Sequence, residues 1–364
     1  MMENKGAQDM DTQQPFLENK DASRPGKEAY LRGIERVLAA RRQACDAQRA
    51  AWITPEALKR DPQKYRRAFC DLLGWPLNAP RESEPPRELA KERIFADEEV
   101  EIFRVRLQVM PDWELPGLLL LPRNRAGKCR AVVFQHGGGG SPELCCDLHG
   151  ANNYRHGPRR FVRHGAAVFA PQVLVWTASE QDAPCFPGYG VPYNRAQIDA
   201  QLKQVGSSIA ALEIYAISRA LDYLETLPEI DASAGFGMAG LSYGGFYTLV
   251  TAAVDERIRA AYSICFFNSL YRYSWPDFCW KGAASRFMAA EIAALVAPRA
   301  LYIEVGERDH VFAIDSALEE WKRVPAFFAA QGAQDRLRFH TVDSDHKMDE
   351  GDAGIEFVLA HLRA

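Results

Sequence analysis

Apolar and polar positions change their spacing twice along the chain. Up to about residue 27 there is no period at all. "MMENKGAQDMDTQQPFLENKDASRPGK" is polar, carries charges of both signs and lacks the apolar centre of a signal segment, so residues 1–27 are expected to be a disordered leader. Residues 28–75 then repeat apolar positions at helical spacing. "DPQKYRRAFCDLLGWP" is the clearest stretch: Asp61 can cap, Pro62 takes the first helical position, Gly74 marks the exit and Pro76 follows. Tyr65, Phe69, Leu72 and Leu73 fall on one face, which predicts a helical extension packed on a larger domain by its apolar stripe. "NAPRESEPPRELAKE", Pro-rich and charged, reads as a connector that ends the extension near residue 92.

From about residue 93 to 364 the pattern becomes that of a catalytic-sized domain. "RIFADEEVEIFRVRLQVM" and "WELPGLLLLP" predict two antiparallel strands around a turn at Pro111–Asp112. Short apolar runs follow, "AVVFQHG", "AAVFAPQVLVW", "GFGMAG", "AAYSICFF", "ALYIEVG" and "LRFHTV". Helical patterns lie between them: "SSIAALEIYAISRALDYLETL", "GGFYTLVTAAV", "DSALEEWKRVPAFFAAQG" and finally "GIEFVLAHLR". The alternation predicts an α/β fold, a mostly parallel central sheet with helices on both faces, whose working residues gather at the carboxyl ends of the strands.

Composition narrows the function. With 364 residues, 47% of them apolar, the chain can bury one large core and still carry an appendage. A net charge of −4 without a basic stripe argues against nucleic acid as a partner. No apolar run reaches transmembrane length, so no membrane partner is expected and the expected location is cytoplasmic. The eight cysteines are scattered with no C-x-x-C pair; they read as reduced thiols, with Cys265 a small buried hydrophobe. No ligand set stands at metal spacing, and neither metal nor cofactor is expected. A homo-oligomer is compatible with all of this.

Candidate chemistry sits at four of the strand ends. "GFGMAGLSYGGFYTLVTAAV" turns from strand to helix at Ser242, with Gly240, Gly244 and Gly245 beside it, the pattern of a nucleophile elbow. Asp309 lies just past "ALYIEVG" and His346 in the loop past "LRFHTV". A serine hydroxyl is a weak nucleophile at neutral pH, so an imidazole must take its proton and a carboxylate must orient that imidazole. Glu307 and Glu304 are rival acids, and His310 and His340 rival bases. Glu304 is expected to point into the sheet packing and Glu307 into solvent. "HGGGG", His136 to Gly140, can present backbone N–H groups to a developing oxyanion, with the N–H of Tyr243 completing the pair; His136 itself is expected to brace the loop. "DSDHKMDEGD" resembles a calcium loop only loosely and is expected to be a solvated loop.

With "HGGGG", "GLSYGGF", "VGERD" and "SDH" in this order, residues 93–364 resemble an α/β-hydrolase of the dienelactone-hydrolase and acetyl-xylan-esterase-like group. The resemblance implies cofactor-free hydrolysis of a carboxylic ester, with Ser242 as nucleophile, Asp309 as acid and His346 as base. It also implies oxyanion donors at Gly138 and Tyr243, with Gly139 as a further candidate. It does not fix the substrate. Residues 177–197 form either a lid or a surface crossover, and "FFNSLYRYSWPDFCW" supplies aromatic rings. Trp176, Tyr193, Phe267 and Trp275 are the candidate substrate contacts, suited to a small or saccharide-borne ester. Arg155, Arg159 and Arg160 could meet an acidic substrate or face water. The competing functions are a prolyl-oligopeptidase-like peptidase and a catalytically inactive hydrolase fold used for binding. The first needs a repeat-built propeller for which the first 90 or so residues are too few; the second usually lacks a triad member.

Overall fold

Residues 18–150, 152–173 and 193–362 are described by the structure, a computed structural model. A short 3-10 segment, Lys20–Ser23, runs into α1 (Arg24–Trp52), so helix begins inside the expected leader; Pro25 presets the backbone of the first turn. Helices α2 (Pro55–Arg60) and α3 (Pro62–Leu73) start on Thr54 and Asp61, whose side chains accept the N–H groups of Ala57 and Lys64. Tyr65, Phe69 and Leu73 are buried as the stripe predicts, and Arg66 beside them donates to the carbonyls of Ala253 and Leu295 on the main domain. The stripe of α1 behaves differently. Its second half meets the body, with Arg49 paired to Glu291 at 3.1 Å, but Tyr30, Leu31, Ile34, Val37 and Leu38 in its first half are exposed.

The sheet opens with β1 (Arg87–Ala96), β2 (Val100–Met110) and β3 (Trp113–Pro122), all antiparallel. Two strands were expected here and three form. The chain reverses at Asp97, whose carboxylate accepts the N–H groups of Glu99 and Val100 at 2.9 Å, making a turn without Gly or Pro. Strand β1 also starts within the stretch expected as a connector. Then follow β4 (Ala131–Gln135), α4 (Pro142–Cys145), α5 (Gly157–Arg163), β5 (Ala167–Pro171), α6 (Arg195–Gln204) and α7 (Ile209–Thr226). The rest of the chain is β6 (Phe236–Leu241), α8 (Tyr243–Val254), β7 (Ile258–Ile264), α9 (Ala289–Ala294), β8 (Ala300–Gly306), α10 (Ile314–Trp321), α11 (Val324–Ala330), β9 (Leu337–Val342) and α12 (Ala353–Ala360). One expected helix divides into α10 and α11, because Pro325 can begin a helix but not continue one.

The nine strands lie in the order β1-β2-β3-β5-β4-β6-β7-β8-β9. Pairing is parallel from β5 through β9 and antiparallel from β1 to β5. One core layer takes α3, α7, α8 and α11 on one face of the sheet; α5 and α12 cover the other. The strands are accordingly apolar on both sides. Among the described residues the seven cysteines are all free thiols; Cys185 lies outside them.

Candidate active site

Between β6 and α8 only Ser242 is left to make the turn, and it does so at φ 62 and ψ −122. A non-glycine residue there is strained, and the strain is held by bonds on both sides: Ser242 N–H donates to Ile264 O at 2.9 Å and Phe246 N–H returns to Ser242 O. The neighbouring glycines are required by contact. A Cβ on Gly244 would stand 2.0 Å from the carbonyl oxygen of Gln135, and one on Gly240 would stand 2.5 Å from that of Gly244. Strand β4, strand β6 and the start of α8 therefore touch backbone to backbone.

The glycine loop leaves β4 beside this elbow. Gly140 N–H bonds Gly137 O, so Gly138 and Gly139 are the centre of a tight turn, and Gly139 takes the φ of +66 that such a turn needs. Gly137 N–H donates to the Tyr154 hydroxyl at 2.7 Å. His136 is buried behind the loop; its Nδ1–H donates to Gly137 O at 2.9 Å and its Nε2 accepts Val173 N–H at 3.2 Å. Burial pushes its pKa down to about 4, so it stays neutral and braces the loop.

Past β8, Asp309 is buried with both oxygens engaged. Oδ1 accepts the N–H groups of Val311 and Phe312, and Oδ2 takes His346 Nδ1–H at 2.8 Å. Glu307 is exposed, whereas Glu304 is 1% exposed within the strand, as expected of each. Glu304 accepts the Tyr262 hydroxyl and Asp349 N–H, and burial pushes its carboxyl up to about 7. His310 bonds Asp345 at 2.6 Å, its ring 6.1 Å from that of His346, while His340 stays on β9 near Asp349. The segment "DSDHKMDEGD" is the solvated loop expected, with only Met348 buried, but it is tied to the rest of the chain on one side. Asn153 donates to His346 O and accepts Met348 N–H through its own carbonyl, while Arg160 donates to Asp349 O and Asp352. Arg155 and Arg159 are likewise ion-paired, with Glu350 and Asp97, so all three arginines face protein carboxylates. Cys265, buried at φ 48 just past β7, has its sulfur within 4.8 Å of ligand atoms on Asp309 and His346; Asp309, His310 and Asp345 form a second such group. Among the described residues the fold thus brings together two groups at ligand-like spacing, both including Asp309, that the linear sequence does not show.

The candidate wall is only partly described. Trp176 and residues 177–192 of the expected lid, 177–197, lie outside the described residues, and Tyr193 within it is half-buried. Phe267 is 1% exposed and belongs to the core, which leaves its ring no surface for a substrate. Trp275 stacks on Tyr243, ring centroids 5.4 Å apart. Behind Tyr243 lies a buried ionic cluster: Arg195 pairs with Asp277 at 2.6 Å and Glu213 at 3.0 Å and donates to the Tyr247 hydroxyl. Sequence spacing missed this cluster, as it missed Asn153, Tyr154 and the partners of Arg160. Each acts across a large separation in the chain and leaves no periodic signal.

No family model matches the chain. YtaP of Bacillus subtilis (strain 168) is 25% identical over 275 residues, 70% of this chain and 85% of its own length. Among solved structures, a glucuronoyl esterase from Solibacter usitatus superposes with a TM-score of 0.61 at 15% identity, over 82% of this chain and 91% of that one. Acetyl xylan esterase 1 from Thermoanaerobacterium sp. JW/SL YS485 gives a TM-score of 0.54 at 16% identity, over 83% and 93%. The strand order, the helices on both faces of the sheet and these superpositions agree: the chain has the α/β-hydrolase fold.

Proposed function

We propose that the protein is a serine esterase that cleaves a carboxylic ester of short acyl or saccharide-borne type. The observation that carries this reading is a strained serine at the strand-to-helix elbow past β6, at the same end of the parallel strands as a histidine past β9 that is bonded at 2.8 Å to a buried aspartate past β8. With Nδ1–H committed to Asp309, the Nε2 of His346 is the basic nitrogen and takes the proton as Ser242 Oγ attacks the ester carbonyl. The carbonyl π electrons move onto oxygen, where the N–H of Tyr243, a free donor of the first turn of α8, and those of Gly138 and Gly139 receive them. Collapse expels the alcohol, protonated by His346, and leaves an acyl-Ser242 ester. Water, deprotonated by the same imidazole, then releases the acid. Trp275 and Tyr193 are the wall residues that remain for a flat substrate. The names of the structural neighbours, esterases of glucuronoyl and acetyl-xylan type, support a sugar-borne ester.

The test is Ser242→Ala against p-nitrophenyl acetate, a sugar acetate and a proline-containing peptide. Turnover of both esters should fall by roughly a million-fold with folding intact, and the peptide should be untouched by either protein. Retention of a tenth of the esterase activity removes the assignment, and cleavage of the peptide alone makes the protein a peptidase.

A further inference from the structure

The dipeptide Asp-His occurs twice in the chain, at 309–310 and at 345–346. Strands β8 and β9 are paired in parallel, so the two copies leave the sheet side by side at the same end. The ladder between them runs on past the last strand pair, Gly306 with Val342. Glu307 N–H donates to Val342 O at 2.8 Å and Arg308 N–H to Ser344 O at 3.0 Å. The Arg308 guanidinium pairs with Asp343 and donates to its carbonyl at 2.9 Å. Beyond that point side chains take over, and they cross. Asp309 of the first loop takes His346 Nδ1–H of the second at 2.8 Å, while His310 Nδ1–H of the first donates to Asp345 Oδ1 of the second at 2.6 Å. The backbone N–H of His310 points to the same Asp345 oxygen at 3.4 Å.

The backbone ladder fixes the roots of the two loops, and it ends at Arg308 and Ser344, short of both Asp309 and His346. Among the described residues, the crossed bonds are the only side-chain hydrogen bonds that join residues 309–313 to residues 345–349. Loops joined by one such bond can still slide along the strand direction, because torsion changes in both side chains keep the bond made. Two crossed bonds remove that freedom. A slide that shortens the Asp309–His346 diagonal lengthens the His310–Asp345 diagonal, and a hydrogen bond weakens once its atoms leave the range of about 2.7–3.2 Å. The four residues close a circuit of two chain links and two hydrogen bonds. The outer pair lies open to solvent, with the His310 side chain 70% and that of Asp345 46% exposed. An exposed pair adds little to stability, so what this one supplies is position. Position matters here, because a displacement of about 1 Å at a reacting group costs on the order of 100-fold in rate.

We propose that His310 and Asp345 are positioning residues of the acid–base pair, their crossed bond holding Asp309 and His346 in line for proton transfer. The proposal rests on the esterase reading for the reaction that the pair serves; the bond itself is tested without it. His310→Ala should lower kcat on p-nitrophenyl acetate by about 10- to 100-fold, with KM within about twofold and the thermal midpoint nearly unchanged. His310→Asn, whose amide offers a donor close to the place of Nδ1, should recover most of that loss. Joined to Asp345→Ala, His310→Ala should cost no more than either change alone, because each removes the same bond. The solvent-exchange rate of the His346 Nδ1–H proton, read by NMR and assigned by its absence in His346→Gln, should rise in His310→Ala. A kcat within about twofold of wild type, losses that multiply in the double variant, equal impairment of His310→Asn and His310→Ala, or an unchanged exchange rate overturns the proposal. If Ser242→Ala keeps its turnover the esterase reading falls, and the exchange rate alone then decides whether the crossed bond holds His346.

Discussion

Glu304 and Asp309 stand five residues apart at the end of β8, and both are buried carboxyl groups bonded to the loop that carries His346. Glu304 is still inside the strand and faces the layer of α5 and α12, where it finds a tyrosine hydroxyl and one backbone N–H. Asp309 is beyond the strand tip, where two backbone N–H groups fix one oxygen and leave the other for an imidazole. Burial is common to both; what differs is where the carboxyl group points and what donates to it. A buried acid near a crevice is therefore no guide to catalysis until its donors are counted.

Asp309→Asn breaks the comparison hardest. The amide keeps the shape but presents a donor to His346 Nδ1 and favours the wrong tautomer, so ester turnover should fall about 10⁴-fold with the thermal midpoint nearly unchanged. A fall of less than tenfold in steady-state kinetics would hand the orienting role to another acid. Glu304→Gln should act on stability instead. A carboxyl raised from 4.5 to about 7 keeps in the folded chain a proton that the unfolded chain releases. Its contribution to stability is complete below pH 4.5 and is lost as pH rises through 7. Glutamine cannot ionise, so the stability of Glu304→Gln relative to wild type should grow by about 1–3 kcal/mol between pH 4.5 and pH 8. Denaturant titrations at the two pH values measure this, and an unchanged difference means Glu304 ionises as it would in water. The smallest effect belongs to Glu307→Gln, on the exposed turn between them: turnover within about twofold of wild type and stability within about 0.5 kcal/mol. Equal losses for Glu307→Gln and Asp309→Asn would erase the distinction drawn between the two positions.

Much of this was legible in the sequence, for physical reasons that vary by residue. Parallel strands buried on both faces write themselves as apolar runs, and Ser242, Asp309 and His346 follow three of them in order. The split between β1 and β2 was hidden because its turn is made by an aspartate side chain, without the Gly or Pro that usually marks one. The brace around the glycine loop and the His346 loop was hidden for another reason. The Tyr154 hydroxyl accepts a backbone N–H 17 residues away and Arg160 donates to a carbonyl 189 residues away, and no local pattern encodes such a partner. The stripe of α3 was read correctly and is buried, whereas the exposed apolar side chains of the first half of α1 belong to no stripe that was read.

The contact between Gly244 and Gln135 has a consequence for how such a protein can diversify. With three backbones closed to less than the width of one methyl group, any side chain at position 244 must wedge the serine turn away from the loop leaving β4. The separation between Ser242 and the backbone N–H groups of the glycine loop is thereby set by main chain alone. A change at Trp275 or Tyr193 leaves that main-chain contact intact, whereas Gly240 and Gly244 have no room for a Cβ.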